Sequence, residues 1–202
     1  MNNNGTRRRR ALLALSAITA AAVFLGTLPL TASHLAAHRT LIKVLRAKLD
    51  GAEYIGDDGV VLQPRRNDCG AACLKMVLST HGIDSDLAAL EKAAKTAADG
   101  ASLADLRKAA AAKGLPGKAW MLNEADLARA PLPALVFVRN DHFVVVRKFV
   151  SRNVLIVDDP AIGRLRWPMA SFRKVWRGES LIFDPNWDPA MTNKIVSRAP
   201  AQ

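Results

Sequence analysis

Apolar residues recur with a helical period through the middle of the chain. After Cys69, apolar side chains return every three to four residues for several turns, which places them on one face of a helix. Asn67 or Asp68 is suited to cap the first turn of this helix. The pair His81-Gly82 is typical of a helix end, because a cationic side chain and a glycine are both favoured there. Cys69 is therefore predicted to lie in the first turn of a helix.

Two more segments with helical spacing follow, at residues 84–97 and 102–114. Ser102 is the predicted N-cap of the second segment, and a glycine ends it. Asn123 is placed to cap a short helix that reaches Ala130. The central part of the chain is therefore predicted to be helical.

The second half of the chain shows the alternation that is typical of β-strands. Residues 131–149 contain two apolar runs joined by a short polar turn, and His142 begins the second run. The next apolar run, from residue 154, ends in the doublet Asp158 and Asp159. A brief strand and then a helix are predicted for residues 164–176. Helices that come first and strands that come later predict an α+β fold.

A long uncharged segment near the N-terminus predicts contact with a membrane. Arg7–Arg10 precede residues 11–32, which carry no charge and at 1.5 Å per residue are long enough to span about 30 Å of hydrocarbon. The run is longer than a usual signal-peptide core, and it lacks a good small-residue cleavage site. We therefore expect a transmembrane anchor, with a cleaved signal segment as the alternative.

The charges beside this segment give an expected orientation. Four arginines before the anchor favour a cytoplasmic N-terminus. A single-pass protein of a bacterial inner membrane, with its main domain in the periplasm, is therefore expected. Because Arg39, Lys43, Arg46 and Lys48 make the other flank basic as well, a cytoplasmic-facing domain stays open, as does a cleaved and secreted one.

The segments together predict one domain on a tether. Between anchor and domain, Leu41, Ile42, Leu45 and Leu49 have helical spacing, which fits either a helix packed on the domain or a solvated linker. The predicted organisation is a basic tail (1–10), the membrane segment (11–32), a stalk or linker (33–57), one folded domain (58–188) and a disordered tail (189–202).

The formal net charge of +11, from 29 basic and 18 acidic residues, raises the question of nucleic-acid binding. The basic residues are spread along the chain, and the sequence has no nucleic-acid-binding motif or aromatic stacking platform. A basic surface near anionic lipid is the better interpretation. No nucleic-acid partner is expected.

Several polar side chains are placed to support a thiol nucleophile. Gln63 lies six residues before Cys69, a spacing that lets an amide donor and the thiol converge. A thiol in the first turn of a helix lies in the positive field of the helix start, which favours the thiolate. His142 at a strand start can act as the base, and Asp158 or Asp159 at a strand end can orient it.

The remaining cysteine and two other histidines have structural interpretations. Cys73 is predicted to pack in the core, because a disulfide to Cys69 within one helical turn would be strained. His34 and His38 can share a helical face, but no third ligand stands nearby. Neither a metal site nor a cofactor is expected.

These residues resemble the C39 peptidases, papain-like cysteine peptidase domains best known as the N-terminal part of bacteriocin-exporting ABC transporters. The resemblance is carried by Gln63, by DCGAACLKM from Asp68, by PLPALVFV before DHFVVV, and by VDDPAIGR, and it covers about residues 62–166. It implies a papain-like α+β fold in which N-terminal helices pack on an antiparallel sheet.

The resemblance also implies a role for each site residue. Cys69 would be the nucleophile, His142 the general base and acid, and Gln63 the side-chain donor of the oxyanion hole. The aspartate of the family directly precedes a proline, which selects Asp159. On a regular strand Asp158 and Asp159 point to opposite faces, so only one of them can reach the imidazole.

Hydrolysis of a peptide bond through a thioester is the activity that the resemblance implies. C39 peptidases cut leader peptides after a small pair, so processing of a secreted or surface polypeptide after Gly-Gly or Gly-Ala is expected. The expected partners are the precursor, membrane lipid through residues 11–32, and a separate secretion or ABC-transport system, because the sequence has no P-loop pattern. The alternative is a non-cleaving binding module of the same fold, against which the intact Cys69, His142 and Asp159 argue.

Overall fold

The computed structural model describes residues 32–97 and 100–190, which form helices and antiparallel strands. The helices are α1 (Ala32–Leu49), α2 (Cys69–Thr80), α3 (Leu87–Ala93), α4 (Leu103–Ala112), α5 (Glu124–Leu127) and α6 (Met169–Phe172). The strands are β1 (Glu53–Gly56), β2 (Lys118–Met121), β3 (Ala134–Val138), β4 (His142–Ser151), β5 (Val154–Asp159), β6 (Gly163–Pro168) and β7 (Trp176–Ile182). The predicted α+β class is confirmed.

The strands form one antiparallel sheet in the order β1-β6-β5-β4-β3-β7-β2. Strands β3 to β6 lie where the alternation predicts them. The apolar pattern misses β1 and β2, which are four-residue strands at the two edges of the sheet. It also misses β7, in which Arg177 and Glu179 interrupt the apolar run. The helix predicted within residues 164–176 is only the four-residue α6, because β6 continues to Pro168.

Apolar side chains fill a core on each face of the sheet. On β4, Phe143 and Val145 belong to the core that α2, α3 and α4 cover, whereas Val144 and Val146 belong to the opposite core. The second core also contains Trp167 and residues of α5 and α6. Because β4 is buried on both faces, its position relative to α2 and to β5 is tightly defined.

The helix boundaries follow from local side-chain chemistry. The Ser102 hydroxyl accepts a hydrogen bond from the Asp105 N–H, and Asn123 caps α5 in the same way through the Asp126 N–H. Helix α2 ends at Thr80 with His81 as its C-cap, and the following Gly82 has a φ of +73°. The caps predicted at Ser102 and Asn123 and the predicted end of α2 are confirmed, but α5 ends at Leu127 and does not reach Ala130.

Helix α1 and strand β1 occupy the segment predicted as a stalk or linker. Within the described residues, a boundary between two compact units falls inside α1, between Leu41 and Ile42. In the second unit α1 contributes Ala47 to the core, and β1 pairs with β6, so the sheet extends N-terminal of the predicted boundary at residue 58. The apolar side chains predicted at helical spacing are exposed: Leu41, Ile42, Leu45 and Leu49.

No helix in the described ranges, 32–97 and 100–190, has both the length and the hydrophobicity needed to cross a membrane. The anchor predicted at residues 11–32 lies outside the described residues except for Ala32, as does the basic tail at residues 1–10. The predicted tail at 189–202 is outside them beyond residue 190.

Candidate active site

Cys69 is the first residue of α2, as the capping pattern predicts, and its side chain is almost fully buried at the edge of a cleft. One turn later, the thiol of Cys73 donates a hydrogen bond to the Phe143 carbonyl oxygen at 3.2 Å. Phe143 directly follows His142, so this bond fixes α2 against the start of β4. Cys73 is fully buried, and both cysteines are free thiols. The predicted packing role of Cys73 is confirmed. Burial raises the pKa of the Cys73 thiol well above its ordinary value.

The residue before α2 does not cap the helix through its side chain. Asp68 occupies the N-cap position, but its carboxylate makes no capping bond. It accepts hydrogen bonds instead from the backbone N–H of Arg65 at 3.1 Å and from the Arg65 guanidinium at 2.9 Å. Asn67 is also turned away and donates to the Ala97 carbonyl at 2.6 Å. The predicted cap is therefore wrong in its bonding, because both side chains brace the loop ahead of Cys69.

His142 begins β4 and faces both Cys69 and a carboxylate. Its Nε2 lies 2.8 Å from Oδ1 of Asp159. The thiol of Cys69 is close enough to raise the pKa of the His142 imidazole. Because Asp159 occupies Nε2, Nδ1 is the nitrogen left for the thiol. A turn in which Arg139 and Asn140 have positive φ values (56° and 63°) precedes the strand and sets where His142 starts. The imidazole thus lies between a nucleophile and an orienting acid.

The doublet at the end of β5 divides between two environments. Both carboxylates are fully buried. Asp159 bonds with His142, and its Oδ1 also accepts the Ala161 N–H at 2.8 Å. Asp158 points to the other face, where it binds the guanidinium groups of Arg164 at 2.7 Å and Arg147 at 2.8 Å. The period of two along a strand explains why only one of the pair reaches the imidazole.

The contacts of His142 and Asp159 determine the protonation of both side chains. Burial alone would lower the pKa of His142, but the hydrogen bonds with Asp159 and Cys69 and their charges raise it to about 9. Burial would likewise raise the pKa of Asp159, but His142, the Ala161 N–H and Arg139 hold it below its usual value. Because the folded pKa of His142 exceeds the ordinary 6.5, its imidazolium stabilises the fold below pH 6.5, and this contribution is lost as the pH rises through about 9.

Gln63 lies next to the strand end that carries Asp159. Its backbone N–H donates to the Pro160 carbonyl at 2.9 Å. Its side-chain Nε2 donates to the carbonyls of Arg65 and Arg66, both at 2.8 Å, and its Oε1 is buried with no hydrogen-bond partner among the described residues. The amide donors are thus used inside the Gln63 loop, and the oxyanion role of Gln63 stays a prediction.

A cleft of about 430 Å³ opens beside Cys69. It is lined by residues of the loop before α2, by residues 100–101, and by Phe137 and Phe143, whose rings are tilted by 49° with centroids 4.8 Å apart. Arg66 and Asp141, both exposed, stand at 3.9 Å from each other at its mouth. The cleft is therefore apolar near the thiol and charged at its rim.

Arg139 is a functional candidate that the sequence pattern does not reveal. It sits in the turn before β4, and its guanidinium lies 3.8 Å from Oδ2 of Asp159. An arginine in a polar turn carries no signal of such a contact, because the contact depends on where β5 ends. Within residues 32–97 and 100–190, no three His, Cys, Asp or Glu side chains gather as a metal site.

Comparison with protein families and curated sequences connects this geometry to known proteins. The model of the peptidase C39 family matches residues 57–188. An uncharacterized protein of Methanothermobacter marburgensis is 30% identical over 139 residues, which cover 69% of this chain and 97% of that protein. The pediocin PA-1 transport/processing ATP-binding protein PedD of Pediococcus acidilactici is 33% identical over 130 residues, which cover 61% of this chain but only 18% of PedD.

Solved structures give the same picture. A double glycine motif protease from an AMS/PCAT transporter, solved in complex with the leader peptide, has a TM-score of 0.60 and 30% sequence identity; the match covers 63% of this chain and 91% of that one. The peptidase domain of Streptococcus ComA, a bi-functional ABC transporter, has a TM-score of 0.58 and 25% identity, with 62% of this chain and 97% of the other covered. The likeness therefore extends over nearly the whole of these peptidase domains.

Proposed function

Since the chain belongs to the peptidase C39 family of cysteine peptidases, we propose that it removes the leader segment of a secreted or surface polypeptide by cutting after a small Gly-Gly or Gly-Ala pair. The observation that carries this proposal is the 2.8 Å bond of His142 with Asp159, with the thiol of Cys69 beside the same imidazole at the edge of a cleft. A non-cleaving binding module would not need a nucleophile, a base and an orienting acid together.

The proposed reaction proceeds in two acyl-transfer steps. The proton of Cys69 passes to His142, the thiolate attacks the scissile carbonyl, and the imidazolium protonates the leaving amine. Water, deprotonated by His142, then cleaves the thioester and releases the leader as an acid. The backbone N–H of Cys69 and the Gln63 amide are the proposed oxyanion donors. Gln63 must exchange the carbonyls of Arg65 and Arg66 for the substrate oxygen to do this.

The shape of the site supports a preference for small residues. Only 4% of the Cys69 surface is exposed, so a substrate carbonyl reaches the sulfur only if the neighbouring substrate side chains take up little space. Phe137 and Phe143 form the wall next to the thiol. The double glycine motif protease named above supports the same preference, because glycine is the smallest residue.

Peptides with matched junctions test the proposed substrate class. We expect the chain to cut a leader-type peptide with a Gly-Gly junction, to cut the Gly-Ala form more slowly, and to leave a Val-Val form intact, because larger side chains cannot enter beside Cys69. Mass spectrometry of the products gives the cleaved bond. Equal cleavage of all three peptides would contradict the small-residue preference, and no cleavage of any would contradict the proposed substrate class.

We propose that residues 11–32 anchor the chain in a bacterial inner membrane, with the peptidase domain in the periplasm, and that a separate ABC-transport or secretion system delivers the precursor. The charge of Arg7–Arg10 supports the orientation. The relation to transporter domains supports such a partner, although this chain spans less than a fifth of PedD. A reporter enzyme that works only outside the cytoplasm, fused after Gln202, should be active. Activity of a cytoplasm-only reporter at that place would reverse the orientation.

A further inference from the structure

Arg139 joins the catalytic acid to a residue far away in the chain. Its guanidinium lies 3.8 Å from Oδ2 of Asp159. On its other side it donates to both carboxylate oxygens of Asp50, with Nε 3.2 Å from Oδ1. The Cζ atom of the guanidinium stands over the Trp167 ring, 5.4 Å from the ring centre, which restricts where the group can move. Arg139 thus lies between two carboxylates.

The carboxylate of Asp159 shows why this cation matters. Oδ1 has two partners, His142 and the Ala161 N–H. Oδ2 is buried and has no hydrogen-bond donor among the described residues, so the charge of Arg139 is what faces it. A buried carboxylate oxygen without a compensating charge is costly. Arg139 therefore offsets part of the negative charge that Asp159 presents to His142.

Asp50 comes from a part of the chain that lies ahead of the family domain. It follows directly after α1, whereas the family model matches residues 57–188. Its carbonyl accepts the indole N–H of Trp167 at 3.2 Å, so the backbone around Asp50 is attached to β6. Its carboxylate is about one-fifth exposed, and the Arg139 side chain one-quarter. The ion pair is therefore partly shielded from solvent.

We propose that Arg139 acts on the catalytic pair through Asp159, and that Asp50 acts through Arg139, so that charges of alternating sign run from the end of α1 to the thiolate. The order is Asp50, Arg139, Asp159, His142 and Cys69. Arg139 and Asp50 are positioning residues, since neither touches the thiol. The proposal rests on the proposed function only in taking Cys69 and His142 as the reactive pair.

Because the charges alternate in sign, Arg139 and Asp50 should affect the pKa of His142 in opposite directions. Removal of the Arg139 charge leaves Asp159 more negative, which stabilises the imidazolium of His142. Removal of the Asp50 charge leaves Arg139 free to offset the charge of Asp159 more fully, which destabilises the imidazolium of His142. The groups that act directly on His142 are Cys69 and Asp159, and Arg139 faces Asp159. Its neighbour Asp141 is paired with Arg66 at the rim of the cleft.

The test measures the alkylation rate of Cys69 by iodoacetamide against pH in the full chain. The alkylation rate of the wild-type protein, plotted against pH, should have an inflection near the His142 pKa of about 9. We expect Arg139→Gln to move the inflection upward and Asp50→Asn to move it downward, each by about half a pH unit, because the direct effect of a neighbouring charge, about one to three units, is weakened by the distance to the imidazole. Arg139→Lys, which keeps the charge, should stay near the wild-type value.

Two further variants separate this proposal from a structural role. Lys43→Gln removes the pair of α1 with Asp57, at 2.5 Å, which does not touch Arg139, and should leave the inflection unchanged. In the Arg139→Gln background, Asp50→Asn should shift the inflection by less than half as much as in wild type. Shifts of the same sign for Arg139→Gln and Asp50→Asn, or unchanged inflections with lowered melting temperatures, would overturn the proposal.

The alkylation measurement does not depend on the peptide substrate. It reports only the thiol and its imidazole partner, so it remains informative if no leader-type peptide is cut. If peptide cleavage is normal but the Arg139 and Asp50 variants do not shift the inflection as expected, only the role of Arg139 is rejected. If these variants shift the inflection as expected but no peptide is cut, only the proposed substrate class is rejected.

Discussion

We expect Cys69→Ser to abolish peptide cleavage, whereas the same substitution four residues later, Cys73→Ser, should leave it in place. A serine hydroxyl at position 69 is not ionised by His142, so kcat should fall by about 10⁶, as it does when the nucleophile of a serine protease is removed. Cys69 lines the cleft and raises the pKa of the neighbouring His142, so the loss should affect chemistry and not folding. Product peptides counted by mass spectrometry measure the effect.

Cys73→Ser is the matched control, on the same helix and with the same atom exchanged. The serine hydroxyl can still donate to the Phe143 carbonyl that now accepts the Cys73 thiol. We expect kcat/KM within about threefold of wild type and a loss of about 1 kcal/mol in the free energy of unfolding, for placing a more polar group in a buried position. A Cys73 variant that loses cleavage while Cys69→Ser keeps it would exchange the roles of the two thiols.

The Asp158 and Asp159 variants should separate catalysis from stability. Asp159→Ala is expected to lower kcat/KM by about 10³ to 10⁴, the range found when the acid of a catalytic triad is lost, because His142 is then neither oriented nor charged. Its fold should survive, since His142 and Arg139 both keep some contact with solvent. Initial rates with a Gly-Gly peptide give kcat/KM.

Asp158→Ala should show the reverse. It leaves Arg147 and Arg164 without the carboxylate that both bind. We expect a loss of about 2–3 kcal/mol in the free energy of unfolding, below the roughly 3–5 kcal/mol of a fully buried pair because about a quarter of each arginine side chain is exposed. Urea unfolding measures it. If Asp158→Ala lost activity and Asp159→Ala lost only stability, the catalytic acid would be the other member of the doublet.

Several elements of the fold were predictable because they depend on neighbours in sequence. The start of α2 at Cys69, the cap at Ser102 and the strands β3 to β5 follow from apolar period and capping chemistry, which act over a few residues. The edge strands β1 and β2 were not predictable in this way. Their hydrogen bonds are to β6 and β7, and four residues are too short to show a period.

The features of the site were likewise predictable only where they depend on neighbours in sequence. The motif around Cys69, the histidine at a strand start and the aspartate before a proline place the thiol, imidazole and carboxylate in order along the chain. The Gln63 motif indicated an amide donor, but the structure uses that amide to hold the carbonyls of Arg65 and Arg66. Local sequence carries the type of side chain, and the bonding partner depends on what the folded loop brings near.

Sequence information alone was thus sufficient for the α+β class, the nucleophile and its helix, and the family, because each depends on short-range patterns and a motif. It favoured Asp159 over Asp158 only through the family motif. The contact with His142 depends on the register between β4 and β5, which places Val145 opposite Asp158 and sends the next side chain to the other face. The contact from Asp50 through Arg139 depends on the packing of the end of α1 against β6. Both arise only when segments distant in sequence are brought together by burial of the two cores.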